Sequence, residues 1–387
     1  MQSVSNRPLI AARALRTTIK TVRHETEGAR CLPASIVDKL IEAGLCRLTV
    51  PESLGGHEAE PLVGFDVYEE LASADASVAW IAWNNALPGL LSRYLSNEVR
   101  AELFANTHRL FANSTRPSGR AVMRQGGFRV SGRWSLVSGC ALADWIPLMC
   151  IVTTDEGEQR MMAEGVPEMR MAYVPKGSYK ILDTWYSGGL RGTGSHDIVV
   201  DEIFVPAELT FSLEDPDHID RPLYRMPFAA TLGAWCAAIC LGIARAAIDT
   251  LLDLGCSKVT VDPGPGLRDR PAVQVMVASS TAALEAARLL LRDALADLWK
   301  ACSSGTPVSN IQRARMWSSI VYTAQTAKTT VTSMYEAAGA SALYIDCPIE
   351  QAHRDIHAVL QHIVLQHFWL EQAGRIRLGL KPTHPLF

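Results

Sequence analysis

Apolar residues recur every three or four positions over much of the first 110 residues, the spacing of one helix face. Ser35–Ala43 (SIVDKLIEA) shows the period clearly, and Gly64–Ser73 and Ser77–Leu91 read as further helices, with Asp75 or Ser77 able to cap. Pro51–Gly56 (PESLGG) is turn chemistry. Near Phe111 the character changes. Phe128–Val137 alternates behind the turn pair Gly126-Gly127. Ile146–Thr153, Met169–Val174, Tyr179–Trp185 and Asp197–Val205 are short β-branched or aromatic runs with polar or glycine breaks. Strands at this spacing predict a small β-barrel or sandwich. From about Arg221 the helical period returns in Ala229–Gly255, Ala272–Ser303, Ser309–Ala338 and Pro348–Leu380. The separators are 262–266 (DPGPG), Gly305-Thr306-Pro307 and 340–347, and four long helices with short joins describe a bundle. The expected domains are a helical 1–110, a β 111–215 and a four-helix bundle 216–387.

Composition narrows the classes of function. The chain has 387 residues, enough for two or three domains with sizeable cores. Its 48% hydrophobic and 20% charged residues are an ordinary globular balance. A net charge of −3 with no Lys/Arg run gives no electrostatic reason to expect nucleic acid. The nine cysteines are scattered, form no CxxC pair, and read as buried thiols in a reducing cytosol. The first twenty residues carry no long apolar run or small-residue cleavage signal, so no secretory peptide is expected. Phe228–Ala244, the most apolar stretch, reads as a core helix, too short for a membrane span. A cytoplasmic protein without membrane attachment is expected.

Candidate chemistry lies in three places. In Val130–Trp145 (VSGRWSLVSGCALADW), alternation puts Trp134, Leu136 and Ser138 on one face, opposite Arg133, Ser135 and Val137. Gly188–Ser195 (GGLRGTGS) lies between two strand runs. It lacks the GxGxxG-before-helix arrangement and the Gly-Lys-Ser/Thr of a P-loop, so no nicotinamide or nucleotide phosphate site is read here. The last stretch holds four of the ten histidines, His353, His357, His362 and His367. His353 and His357 have the i, i+4 spacing of a metal pair, but no HExxH accompanies them, and no metal site is expected.

Two segments, Gly189–Pro206 (GLRGTGSHDIVVDEIFVP) and Gln351–Leu380 (QAHRDIHAVLQHIVLQHFWLEQAGRIRLGL), resemble the acyl-CoA dehydrogenase superfamily. The α, β, four-helix order is the superfamily's own, and the resemblance covers almost the entire chain. In its dehydrogenases an Arg-Asp pair is followed, eight residues after the Asp, by the Glu that removes the substrate α-proton. Here the pair is Arg354-Asp355 and that position is Ile363, which cannot accept a proton; the neighbouring position is His362. This swap resembles the flavin-dependent, two-component monooxygenase branch, in which a His here faces reduced flavin.

The resemblance implies an oxygen-inserting enzyme supplied with FADH2 or FMNH2 by a separate reductase. It would use O2 through a C4a-hydroperoxyflavin to hydroxylate a small, preferably phenol- or indole-type, substrate. By the same resemblance Ser138 would hydrogen-bond the flavin N5 edge, Trp80 would pack beside the isoalloxazine and Ser114 would lie over its pyrimidine side. Arg191 and Thr193 belong to the glycine-rich flavin loop, and Arg268 and Arg270 to the segment reaching a neighbouring subunit's flavin. Trp83 and Asn84 would line the substrate side. His362 would serve as general base or as proton donor. Where relatives commonly carry Asn, this chain has His196. A homotetramer, or a dimer, is implied. The rival readings are an acyl-CoA dehydrogenase with its carboxylate moved to Glu285 or Glu336, or a silent flavin- or partner-binding homologue.

Overall fold

In a computed structural model the chain is described at residues 6–162, 165–257, 265–384 and 386–387. The 262–264 part of the expected turn lies outside them. Seven helices come first: α1 (Arg7–Thr21), α2 (Arg23–Ala29), α3 (Ala34–Glu42), α4 (Pro61–Ala72), α5 (Ala76–Asn84), α6 (Ala86–Leu91) and α7 (Asn97–Phe104). Seven strands follow: β1 (Ser114–Arg124), β2 (Gly127–Val137), β3 (Trp145–Thr153), β4 (Met169–Pro175), β5 (Lys180–Leu182), β6 (His196–Pro206) and β7 (Thr210–Phe211). After the short α8 (Pro222–Arg225) come α9 (Phe228–Ser257), α10 (Pro271–Ser303), α11 (Asn310–Ala338), α12 (Pro348–Val359) and α13 (Phe368–Arg377).

The strands form one mixed sheet in the order β5-β6-β2-β1-β3-β4-β7, with β1 and β3 parallel and the other pairs antiparallel. Tyr179–Trp185 contributes only the three-residue β5, and β1 was not among the predicted strands. Gly119 on β1 exists because Trp134 lies across it: a Cβ there would stand 1.9 Å from the indole ring.

The predicted face assignment on β2 fails at its end. Leu136 has φ +59° and is 49% exposed, and the ladder to β6 shifts between Trp134 and Val137. This bulge moves the alternation by one residue. Trp134 and Val137 therefore share the core, with Leu136 turned out.

α9 is apolar on all sides because it sits between helices rather than on a surface. It packs on α4, α11 and α12. Its 29-residue stretch Phe228–Cys256 is long and apolar enough to cross a membrane, contrary to the shorter reading, and 89% of its most apolar window is buried inside the protein. Where α4 meets α9 and α10, Asp66, Glu69 and Glu70 are ion-paired with Arg245, Arg288 and Arg292.

The expected final helix is broken. α12 stops at Val359 and a single 3-10 turn, Ile363–Leu365, precedes α13. Side chains stabilise the break by taking backbone groups that a helix would pair internally. Gln366 Nε2 donates to the carbonyls of Leu360 and His362 (2.7 and 3.3 Å), and Trp369 Nε1 donates to that of Ile363 (2.8 Å). His362 thus caps a turn rather than riding a helix face.

Candidate active site

α5 supplies the aromatic wall. Its N-terminus is capped by Asp75 Oδ1, which accepts from the N–H groups of Ser77 (2.8 Å) and Val78 (3.1 Å). Trp80 and Trp83, one turn apart on this fully buried helix, lie side by side with ring centroids 4.8 Å apart. Trp83 Nε1 donates to the Leu232 carbonyl on α9 (3.1 Å), which holds its ring in place. Asn84 follows and meets Asn113, next to Ser114 at the start of β1.

The 3-10 turn brings His362 edge-on against both indoles, 5.5 Å from Trp80 and 5.1 Å from Trp83, at 77° and 86°. Packing around the ring strips it of water, and nearby Arg116 adds a smaller push; together they lower its pKa to about 4. The imidazole is therefore neutral at physiological pH. Its Nδ1 accepts the Val364 N–H at 3.4 Å, which leaves the proton on Nε2. Ile363 is half exposed and brings no polar group.

From Trp80 a chain of hydroxyls runs into the glycine-rich loop. Trp80 Nε1 donates to Ser138 Oγ (3.0 Å). Ser138 Oγ lies 2.7 Å from Ser195 Oγ, which lies 2.6 Å from Thr193 Oγ1. Thr193 Oγ1 donates to the Leu190 carbonyl (2.8 Å). All three hydroxyl residues are buried.

The loop is anchored to α12 through the Arg-Asp pair. Asp355 Oδ1 accepts the Leu190 N–H (2.6 Å), and Arg354 donates to the Gly188 carbonyl (2.6 Å) while pairing with Glu27 and Glu350. Gln351 Nε2 bridges Asp355 Oδ2 (3.3 Å) and Asp75 Oδ2 (3.2 Å). Burial, then the Asp75 charge beside it, pushes Asp355 up to about 8; burial also raises Asp75. A cavity of about 300 Å³, lined by Asp75, Gln351, Asp355, Lys20, Arg23 and His24 among others, lies at this anchor and does not include Trp80, Ser138 or His362.

Residues 10–108 match the family "Acyl-CoA dehydrogenase, N-terminal domain" and residues 234–367 match "Acyl-CoA dehydrogenase, C-terminal domain". The indole-3-acetate monooxygenase of Acinetobacter baumannii is 30% identical over 349 residues, which are 90% of this chain and 88% of that protein. The chain belongs to the acyl-CoA dehydrogenase family. Within that family it groups with the flavin-dependent monooxygenases. The oxygenase subunit HsaA of a flavin-dependent monooxygenase from Rhodococcus jostii is 28% identical, over 90% of this chain and 92% of that one. A 3-HSA hydroxylase of known crystal structure from a Rhodococcus species superposes with a TM-score of 0.90 at 27% identity, covering 98% of this chain and 99% of the other.

In this enzyme of the acyl-CoA dehydrogenase family, the sequence-derived residues fall into two groups. Trp80, Trp83, Asn84, Ser114, Ser138, Thr193 and His362 stand on α5, β1, the end of β2, the glycine loop and the 3-10 turn. Arg191 is part-buried in the same loop. Arg268 and Arg270 are exposed before α10, and among the described residues their hydrogen bonds stay local, from Gln274 Nε2 to the Arg268 carbonyl and from Arg270 to the Pro265 carbonyl. Glu285 and Glu336 are exposed, so neither is a buried base. His353 stacks on Tyr335 (4.4 Å) and meets His357 edge-on (4.9 Å), and among the described residues no group of three or more metal-ligating side chains converges.

His196 opens β6 directly after the glycine loop. Its Nδ1 accepts from the N–H groups of Thr184 and Trp185 (3.3 and 3.2 Å), pinning β5's exit to the glycine loop. Burial lowers its pKa, consistent with an accepting neutral ring. Sequence reading missed Ser195 and the Asp75–Gln351–Asp355 bridge. Ser195 stood in the quoted loop, but only the fold brings its hydroxyl to Ser138.

A flavin fits this donor set. Ser138 keeps one unused lone pair, and the indole wall beside it is apolar and buried.

Proposed function

We propose that this enzyme hydroxylates a small aromatic substrate of the phenol or indole type, using reduced FAD or FMN delivered by a separate reductase. The observation that carries this reading is the neutral His362 set against Trp80 and Trp83, one hydrogen bond from Ser138, with an alkyl group at position 363. The relatives named for indole-3-acetate and for an oxygenase subunit support it. Reduced flavin, when bound, activates O2 and supplies an electrophilic oxygen. The chain's residues do the rest. Trp80 and Trp83 exclude water and offer flat faces to an aromatic ring. Ser138 contacts the flavin edge, with Ser114, Arg191 and Thr193 around it. Arg268 and Arg270 reach the flavin of a second copy in a homotetramer. Asn84 lines the substrate side. His362 holds its proton at Nε2 and donates it as a hydrogen bond to a substrate oxygen. The enzyme acts in the cytoplasm, free of membrane and nucleic acid.

The test supplies purified protein with enzymatically reduced flavin, air, and a panel of phenols and indoles, and follows products by mass spectrometry. His362→Ala should lose coupled product by about a hundredfold or more, while His362→Gln, which keeps an N–H donor, should retain most of it. Tight binding of oxidised FAD that an acyl-CoA then reduces would refute the reading.

A further inference from the structure

Hydrogen-bond arithmetic along the buried hydroxyls is consistent when the Trp185 indole N–H goes to the Arg191 carbonyl (3.1 Å), which leaves the two Leu190 carbonyl lone pairs to the Thr193 N–H (3.1 Å) and the Thr193 hydroxyl. A hydroxyl has one proton to give and two lone pairs to receive. The proton positions follow from the network as a whole. The Leu190 carbonyl can only accept, so Thr193 spends its proton there at 2.8 Å. Ser195, 2.6 Å from Thr193 Oγ1, must then donate to it. Ser138, 2.7 Å from Ser195 Oγ, must in turn donate to Ser195. At the other end the indole Nε1–H of Trp80 can only donate, and it fills one Ser138 lone pair at 3.0 Å. Every proton in the chain points from Trp80 towards Leu190. Ser138 is left with one lone pair and no proton to offer. Thr193, Ser195 and Ser138 are 2%, 4% and 6% exposed, so water does not readily reset the direction.

We propose that Ser138, Ser195 and Thr193 form a hydroxyl chain of fixed direction that makes the site select reduced over oxidised flavin. The inference rests on the proposed flavin role of Ser138. The central-ring nitrogen of a flavin carries hydrogen when reduced and a bare lone pair when oxidised. A Ser138 that can only accept complements the first and repels the second. Ser195 and Thr193 are positioning residues here: they act on the flavin nitrogen by consuming the Ser138 proton. The selection suits an enzyme that takes its flavin already reduced, because spent flavin leaves and fresh reduced flavin replaces it.

The test is anaerobic calorimetry of the full chain with FAD and FMN, each oxidised and dithionite-reduced, and the readout is the ratio of the two dissociation constants. The wild type should favour reduced flavin. Ser195→Ala frees the Ser138 proton to turn towards the ligand, and the ratio should fall about tenfold, the size of one neutral hydrogen bond exchanged for a mismatch. Thr193→Val should act in the same direction, because Ser195 loses its acceptor. Thr193→Ser restores that acceptor and should restore the ratio. If Ser195→Ala does not fold, the Thr193 pair decides alone. A ratio unchanged in folded Ser195→Ala or Thr193→Val overturns the inference, as does a wild type that prefers oxidised flavin. If product still forms in those cases, the monooxygenase reading survives. A wild type that binds neither flavin state sinks both.

Discussion

Replacing Asp355 with asparagine should flatten the pH dependence of folding stability. In the folded chain burial and the Asp75 charge hold Asp355 near 8, against the ordinary 3.8. Glu27 also raises it, and Arg354 and the Leu190 N–H oppose the rise. The folded state therefore keeps a proton that the unfolded chain has released above about pH 5. Stability contributed by the protonated side chain is full below 3.8 and is lost progressively as pH rises towards 8. One retained proton gives a slope of about 1.4 kcal/mol per pH unit, so the wild type should lose about 2 to 3 kcal/mol between pH 6 and pH 8 from this group. The amide that replaces the carboxyl has nothing to titrate, and its oxygen can still accept the Leu190 N–H. Urea unfolding of both proteins at half-unit steps from pH 6 to 9 measures the difference in slope. Equal slopes would refute the reasoning, and so would a variant that steepens the decline.

Other outcomes follow from the same geometry. The lowered pKa of His362 predicts stability that is full above 6.5 and lost as pH falls through about 4; His362→Gln should remove that acid-side loss in a urea titration between pH 6.5 and 4. Gly189→Ala should destabilise by about 1 to 3 kcal/mol, because the new Cβ would sit 2.3 Å from the Arg354 carbonyl oxygen, and calorimetry should also show weaker flavin binding as the loop lifts from α12. Trp80→Phe keeps the ring wall but removes the N–H that Ser138 accepts, and should cost about 1 kcal/mol in thermal or urea unfolding.

Much of this architecture was legible along the chain. The change of hydrophobic period near residues 111 and 221 and Asp75 ahead of α5 are local signals, set by a few neighbouring side chains. So is the alkyl residue at 363 beside an imidazole. The period changes and the cap specify helix and strand without help from distant residues; position 363 takes its meaning from the family resemblance.

What the linear order could not show depends on partners far apart. The break after Val359 leaves the 3.6-residue period nearly intact, and it exists because Gln366 and Trp369 fold back onto freed carbonyls. The slip at Leu136 shows only in the pairing of β2 with β6, where the register shifts between Trp134 and Val137. Asp355 holds Leu190 across 165 residues, and Gln351 reaches Asp75 across 276. Sequence by itself determined the order of helical and strand regions and the chemical types of residue available. Only the tertiary structure decided that His362 is neutral, that Asp355 keeps its proton and which way the Ser138 hydroxyl points, because charge state and hydrogen-bond direction depend on what burial brings within about 3 Å.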